Sequence, residues 1–400
     1  MNTNIERLYK IAKKEKRFII GLMSGTSLDG LDVALCKIKK SGINTKVELV
    51  EFESVPFEDD FKNEIKTIFS KKNVSLEKLC LLNPWVALRH AAIIKNCLKK
   101  WKIKNSKIDL IASHGQTIYH APTSLHQQIK FGNATLQIGD GDHLAMETGI
   151  ITISDFRQKH IAAGGEGAPL AVYGDYLIFG KKGDDRILLN IGGIANFTYL
   201  PADMDPVKIF CTDTGPGNTL MDAFIQDNFK GKFFDEDAAI AKSGIICQSL
   251  LAALNSHPFF SGGFPKTTGP ELFNLEFLNA AKSASATHHI SVADTMATLN
   301  KFTAETISAA LKTVVGKKKS FKIFSSGGGM HNPLLIHHLK EALPYCTFNT
   351  TAQLNINPDA KEAVLFAILA NECVAGNEES LPKKFKGMPA VSMGKISFPS

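Results

Sequence analysis

Five short turns rich in glycine and small polar residues, most of them at the ends of apolar strands, constrain this chain more than any other feature. They are Ser24–Gly30, Gly164-Gly165-Glu166-Gly167, Gly192-Gly193, Asp213–Asn218 with Gly215 and Gly217 inside it, and Gly327-Gly328-Gly329. Glycine lets other groups approach the main chain closely and accepts positive φ, while Ser and Thr hydroxyls add donors. Backbone N–H groups converging in this way form concavities for anions such as phosphates. One such turn is an ordinary tight turn. Five in one chain point to a ligand-binding cleft.

The flanking pattern is that of an α/β protein. Apolar runs at Phe18–Met23 and Leu31–Ile38 and an alternating run at Lys46–Val55 predict three strands in antiparallel order. Helices are expected at residues 4–13, 61–70, 75–100, 140–148, 168–179, 218–229, 270–283, 292–315, 332–342 and 360–373. Further strands are expected at 108–113, 150–154, 186–191, 196–200, 208–212 and 321–325. A length of 400 residues allows two or three domains at roughly 150 residues each. The turn at 24–30 is echoed by Asn190–Asn196, which suggests two related halves.

Charge and cysteine content narrow the function. The net charge of +7 is carried among interspersed acidic and basic residues, with no aromatic–basic track for nucleic acid. Seven cysteines at wide spacing, without Cys-x-x-Cys, indicate neither a disulfide framework nor a zinc ribbon. No apolar run approaches the ~18 residues of a membrane span, and none resembles a signal peptide. A cytoplasmic protein with a small-molecule partner is the expectation.

The common nucleotide and hydrolase motifs are absent from the sequence. It contains no Gly-x-x-x-x-Gly-Lys-Ser/Thr, no complete Gly-x-Gly-x-x-Gly, no His-Glu-x-x-His and no Gly-x-Ser-x-Gly. Instead, the hairpins Gly21–Leu35 and Leu189–Leu200 and the turn Ser325–Asn332 are similar to the phosphate and adenosine segments of the sugar kinase, Hsp70 and actin superfamily. More narrowly, the blocks Gly21–Asp32, Ser113–Thr117, Leu136–Asp140, Asp155–Arg157, Ala163–Leu170, Asn190–Asn196, Asp213–Asn218 and Lys266–Gly269 run in the order of one family. Over about residues 18–372 the chain resembles the anhydro-N-acetylmuramic acid kinases.

That resemblance implies a two-domain actin-like ATPase (ribonuclease H-like) α/β fold with an interdomain cleft. The first lobe would span 1–134, with a C-terminal helix at about 361–400 packing back on it, and the second 135–360. It implies ATP-dependent opening of 1,6-anhydro-N-acetylmuramic acid by water with phosphorylation of its 6-oxygen, a step of cell-wall sugar recycling. ATP and Mg²⁺ would be needed, and a homodimer stays open as the assembly. The ATP-binding residues implied are Gly25, Thr26, Ser27, Leu28, Asp29, Gly30, Leu31 and Asp32, opposed by Gly192, Gly193, Gly215 and Gly217, with Gly327, Gly328 and Gly329 facing the nucleoside. Asp29 and Asp213 would hold the metal, in part through water, because Asn190 replaces the acid that opens the second hairpin in many superfamily members. His114, Gln116, Arg157 and Glu362 would contact the sugar.

One position departs from the family pattern. Where relatives carry Asp in a Phe-Arg-x-x-Asp arrangement, this chain has His160, and Glu166 stands where an amide is frequent. A neutral imidazole can take a proton from water near neutral pH. His160 is therefore one candidate base, with Glu166 or Asp155 supplying negative charge or replacing it. The alternative is a kinase for another anhydro sugar, or a non-catalytic sugar or nucleotide sensor on the same fold.

Overall fold

The structure is a computed structural model of the chain, and it describes residues 2–25, 28–168, 170–315, 321–354, 357, 359–376, 389 and 391–400. Among the described residues there are twelve strands: β1 Lys16–Ser24, β2 Gly30–Lys39, β3 Lys46–Pro56, β4 Leu110–Ala121, β5 Ala134–Ile138, β6 Thr152–Ser154, β7 Arg186–Ile191, β8 Ile194–Leu200, β9 Phe210–Pro216, β10 Phe321–Ser326, β11 Cys346–Thr350 and β12 Lys395–Ser397. The chain divides into two compact units, residues 1–179 with 355–400, and residues 180–354.

In the first unit the sheet runs β12-β6-β4-β1-β2-β3, with β5 paired to β4. Strands β1, β2 and β3 are antiparallel neighbours, whereas β4 lies parallel to β1 and β6 parallel to β4. Successive residues of β1 face opposite sides of the sheet. Ile20 and Leu22 join Val86, Ala91 and Ile94 of the helix Leu76–Lys100 in one core cluster. Gly21 faces the other helix, Lys361–Ala375, so closely that a Cβ would sit 1.8 Å from the Ala363 carbonyl oxygen. No side chain fits there. That helix is buried along most of its length, and its apolar middle, Ala363–Ala370, is covered on every face.

In the second unit the order is β11-β10-β7-β8-β9. Here too three antiparallel strands, β7 to β9, are followed by parallel β10 and β11. Each unit thus repeats one topology, three antiparallel strands and then two parallel ones, which is the two-domain actin-like α/β architecture expected. Ile187, Leu189 and Phe197 pack with Ile307 and Leu311 of the helix Val292–Val315 and with Leu335 and Leu339 of Pro333–Ala342.

Two sequence expectations are corrected. The boundary placed at 134/135 lies at 179/180, because β5 and β6 both pair with β4 and hold residues 135–179 in the first unit. The helix expected at about 361–400 ends at Ala375; residues 377–388 and 390 lie outside the described residues, and β12 follows, antiparallel to β6.

Candidate active site

The turn after β1 is held from beneath by Gln116, a fully buried residue of β4. Ser24 Oγ donates to Gln116 Oε1 at 2.5 Å, and Gln116 Nε2 donates to the Gly25 carbonyl at 3.2 Å. The expected strand at 108–113 runs on to Ala121, so His114 and Gln116 lie within a strand and not at its end. Thr26 and Ser27 lie outside the described residues. Leu28 is buried with φ of 60° and donates its N–H to Gly25 O at 3.4 Å. A non-glycine residue in left-handed backbone is uncommon. Asp29 is exposed, and its carbonyl accepts from Phe57 N at 3.0 Å. Gly30 enters β2 against the Val55 carbonyl, which a Cβ would meet at 2.5 Å. Leu31 turns into the core, so only its main chain is available to a ligand. Burial raises the Asp32 carboxyl above its usual range, opposed by the Ser54 hydroxyl and reinforced by Asp359.

Beside this turn, four residues form one connected group. Arg157 Nε donates to His114 Nε2 at 2.9 Å, and its Nη1 donates to the Gly167 carbonyl at 2.7 Å. His114 Nδ1 donates to Gly115 O at 2.9 Å, which leaves Nε2 as the acceptor Arg157 requires. Burial, with the guanidinium beside it, pushes the His114 imidazole down to about 3. It is a neutral orienting group.

His160 is held in the other tautomer. Its Nδ1 accepts from Gly167 N at 2.9 Å, so the proton resides on Nε2, a buried atom with no hydrogen-bond partner among the described residues. Burial and Arg157 push the ring down to about 4. A Cβ on Gly165 would lie 2.2 Å from His160 Cε1. The only lone pair of the neutral imidazole is occupied, and the expectation that His160 takes a proton from water is corrected on that ground. His160 and Arg157 instead grip the N–H and the C=O of Gly167. Between Gly165 and Gly167 stands Glu166, exposed to solvent.

Asp155, the other candidate, begins the helix Phe156–Ala162 with φ of 55° and pairs with Lys395 of β12 at 2.5 Å. Its charge is matched within the fold. Glu362, in the first turn of Lys361–Ala375, has its carboxyl raised by desolvation and by Asp32 and Asp175, against Lys361 and Arg157. Lys361 itself pairs with the buried Asp175 at 2.9 Å.

In the second unit, the three remaining glycine turns pack main chain to main chain. Gly217 N and Thr219 N donate to Gly193 O at 2.8 and 3.0 Å, and Asn218 N donates to Gly192 O at 2.8 Å. A Cβ on Gly217 would sit 2.2 Å from Gly192 O. Gly327, with φ of 82°, abuts Asn190 Oδ1 and Ile191 O, and a Cβ on Gly329 would meet Ile191 Cγ2 at 2.3 Å. Gly192, Gly193, Gly217 and Gly327–Gly329 therefore form one cluster, from which the helix Thr219–Asn228 departs. Gly215 reaches the end of β9 with φ of 137°, against Phe260.

Asp213 precedes this cluster on β9. One carboxylate oxygen accepts from Thr268 N at 2.8 Å, and burial raises the group while Thr268 counters it and Glu271 adds to it. Sequence reasoning gave no role to Lys266. Its N–H and C=O bond to Thr212 and Asp213, while its ammonium donates to Phe259 O and lies 4.4 Å from that ring and 4.8 Å from that of Phe264. The conspicuous block Lys266-Thr267-Thr268-Gly269 was its signal. Among the described residues there is no group of three His, Cys, Asp or Glu side chains placed to hold a metal ion by themselves.

Residues 17–399 match the profile of the family described as anhydro-N-acetylmuramic acid kinase. The chain is 55% identical over 400 residues to a protein of Pseudoalteromonas atlantica described by that name, covering 100% of both chains. It is 39% identical to one of Caldanaerobacter subterraneus over 395 residues, covering 98% of this chain and 100% of that one. Among solved structures, the activator of 2-hydroxyisocaproyl-CoA dehydratase from Clostridium difficile with bound ADPNP is similar at 10% identity, over 91% of this chain and 98% of that one, with a TM-score of 0.41.

Proposed function

Because the chain belongs to the anhydro-N-acetylmuramic acid kinase family, we propose that it uses ATP and water to convert 1,6-anhydro-N-acetylmuramic acid to N-acetylmuramic acid 6-phosphate, in the cytoplasm and as a step of peptidoglycan turnover. The observation that carries the nucleotide part is the cluster of glycine turns in the second unit, where main chain meets main chain and a side chain would collide. The Gly217, Asn218 and Thr219 N–H groups are engaged in that packing, so a polyphosphate would be held by the remaining N–H groups of the turns that the packing brings together. The Gly25–Asp32 turn, with its buttress of Ser24 and Gln116, is proposed as the second phosphate-binding segment.

A magnesium ion fits Asp213. Mg²⁺ is usually bound by one or two carboxylates together with substrate phosphates and water, and Thr268 fixes the orientation of this carboxylate. Asp29, exposed on its turn, is the second candidate, reaching the metal through water. The metal neutralises charge on the phosphates.

In the reaction, the oxygen of water bonds to the anomeric carbon of the sugar, the bond from that carbon to the 6-oxygen breaks, and the freed oxygen takes the γ-phosphoryl group with release of ADP. The proton of water goes to a base. We assign that base to Glu166, an exposed carboxylate whose flanking residue Gly167 is clamped by His160 and Arg157. A carboxylate also stabilises positive charge developing on the sugar ring. Arg157, oriented by His114, and Glu362 are proposed to face the sugar.

The test is incubation with ATP, Mg²⁺ and the anhydro sugar, followed by mass spectrometry. A product heavier than the sugar by one water and one phosphoryl group, formed in step with ADP, is expected. ATP breakdown indifferent to the sugar would refute the proposal.

A further inference from the structure

Glu166, exposed between the buried Gly165 and Gly167, stands between two peptide planes, and a different side chain holds each of them. The plane that follows it is held at Gly167 N by His160. The plane that precedes it is held at the Gly165 carbonyl, which accepts from Asn133 Nδ2 at 3.1 Å. The backbone of one residue has only two soft dihedrals. Fixing the planes on either side of Glu166 therefore fixes the direction in which its side chain leaves the chain.

The amide of Asn133 can sit only one way round. Its Oδ1 accepts from Thr123 N at 2.9 Å and from Thr123 Oγ1 at 3.1 Å. Thr123 N has only a proton to give and the Gly165 carbonyl only lone pairs, so the oxygen must face Thr123 and the nitrogen Gly165. One side chain thus closes the loop 123–133 between β4 and β5 and ties it to the turn that carries Glu166. The surrounding frame is cross-linked as well. Gln158 Nε2 donates to Thr135 O at 2.6 Å, joining the start of β5 to the helix Phe156–Ala162. Gly165 N donates to His160 O of the same helix at 2.9 Å. Burial lowers the His120 imidazole of β4, Arg157 adds to that and Glu166 opposes it. The Glu166 carboxylate is thus within electrostatic reach of the strand that bears His114.

We propose that Asn133 is a positioning residue for Glu166: by holding the Gly165–Glu166 peptide it aims the carboxylate at the water that opens the sugar. The inference rests on the assignment of Glu166 as the base. The Asn133 amide neither takes nor gives a proton in the reaction. Its contribution is geometric, since a displacement of about 1 Å in a reacting group can cost roughly a hundredfold in rate. His160 alone does not supply it, because with the preceding plane free Glu166 can still turn about its own backbone bonds.

Two variants separate this role from closure of the loop. Asn133→Ala loses both grips, whereas Asn133→Asp keeps its acceptor for Thr123 and loses the donor to the Gly165 carbonyl. Both should lower kcat about ten- to a hundredfold with the KM for ATP unchanged. In both, amide exchange at Gly165 and Gly167 should quicken about three- to tenfold, while Thr123 N stays protected in Asn133→Asp. Asn133→Ala added to Glu166→Gln should cost less than about twofold more than Glu166→Gln alone, because residues that act through one another do not multiply their losses. Wild-type kcat in Asn133→Asp, unchanged exchange at Gly165 and Gly167, or losses that multiply in the double variant would each overturn the proposal. Glu166→Gln by itself reports on the assignment beneath it. Wild-type turnover there removes Glu166 as base and this proposal with it, whereas a fall in Glu166→Gln beside wild-type turnover in Asn133→Asp removes Asn133 alone.

Discussion

Replacing Gly217 with alanine tests whether the glycine cluster of the second unit is a structural necessity. The added Cβ would lie 2.2 Å from the Gly192 carbonyl oxygen, where ordinary contact begins at 3.4 Å. Both atoms belong to turns, so relief requires the backbones to part by about 1 Å, far more than a core tolerates without cost. That movement acts on three hydrogen bonds, Gly217 N and Thr219 N to Gly193 O and Asn218 N to Gly192 O. Overpacking at ~1–3 kcal/mol, plus about 1 kcal/mol in all for partial weakening of bonds that are worth ~0.5–1.5 kcal/mol each when lost, gives a loss of about 2–4 kcal/mol. For a unit of this size the melting temperature should fall by roughly 5–15 °C. Differential scanning calorimetry measures this, with Gly263→Ala as control, since a Cβ there meets nothing within 4 Å. The KM for ATP should rise at least tenfold in Gly217→Ala and stay unchanged in the control. A Gly217→Ala protein with wild-type melting and wild-type KM would refute the reasoning.

Glu166→Gln should lower kcat by about 10²–10⁴-fold with little change in the KM for ATP, whereas His160→Asn, which keeps a side chain able to accept from Gly167, should lower it far less; the reverse ranking would return the base to His160. Stability should decline on mild acidification. His90, His114 and His160 are held near 4, 3 and 4 in the folded chain against 6.5 when exposed, so the unfolded chain binds the extra protons and folding weakens as pH falls below 6.5. Asp222, raised to about 6 by burial, works in the opposite direction, leaving a net loss of ~2–4 kcal/mol between pH 7 and pH 5. A melting temperature that is flat over that interval would contradict this. Asp213→Asn should raise the Mg²⁺ concentration needed for half-maximal turnover while leaving the melting temperature nearly unchanged, and an unaltered magnesium dependence would exclude Asp213 from the metal.

The glycine turns were legible because glycine at a strand end reports a main-chain requirement directly, and Gly217 and Gly327 meet that requirement in the fold. The strands flanking them were legible from their apolar runs. The second half of β4 was not, since Ser113-His114-Gly115-Gln116-Thr117 carries polar side chains turned inward to hold the neighbouring turn and Arg157. The unit boundary was misplaced for a different reason: β6 joins β4 across some forty intervening residues, a pairing no local pattern announces. Strands β11 and β12 are short and lie at sheet edges, where little alternation is needed. The role of His160 turned on which ring nitrogen meets Gly167 N. Composition near a histidine does not determine that, and the tautomer decides whether the ring can act as a base. Lys395 and Asp155 stand 240 positions apart, and their pairing became visible only once β12 was placed beside β6.

The most direct measurement of the central claim is equilibrium binding of a non-hydrolysable ATP analogue to the full chain in magnesium buffer, by calorimetry together with dialysis. Saturable binding of one nucleotide per chain, weakened at least tenfold by Gly217→Ala, is the predicted result. A wild-type protein that retains no nucleotide in either experiment would contradict it.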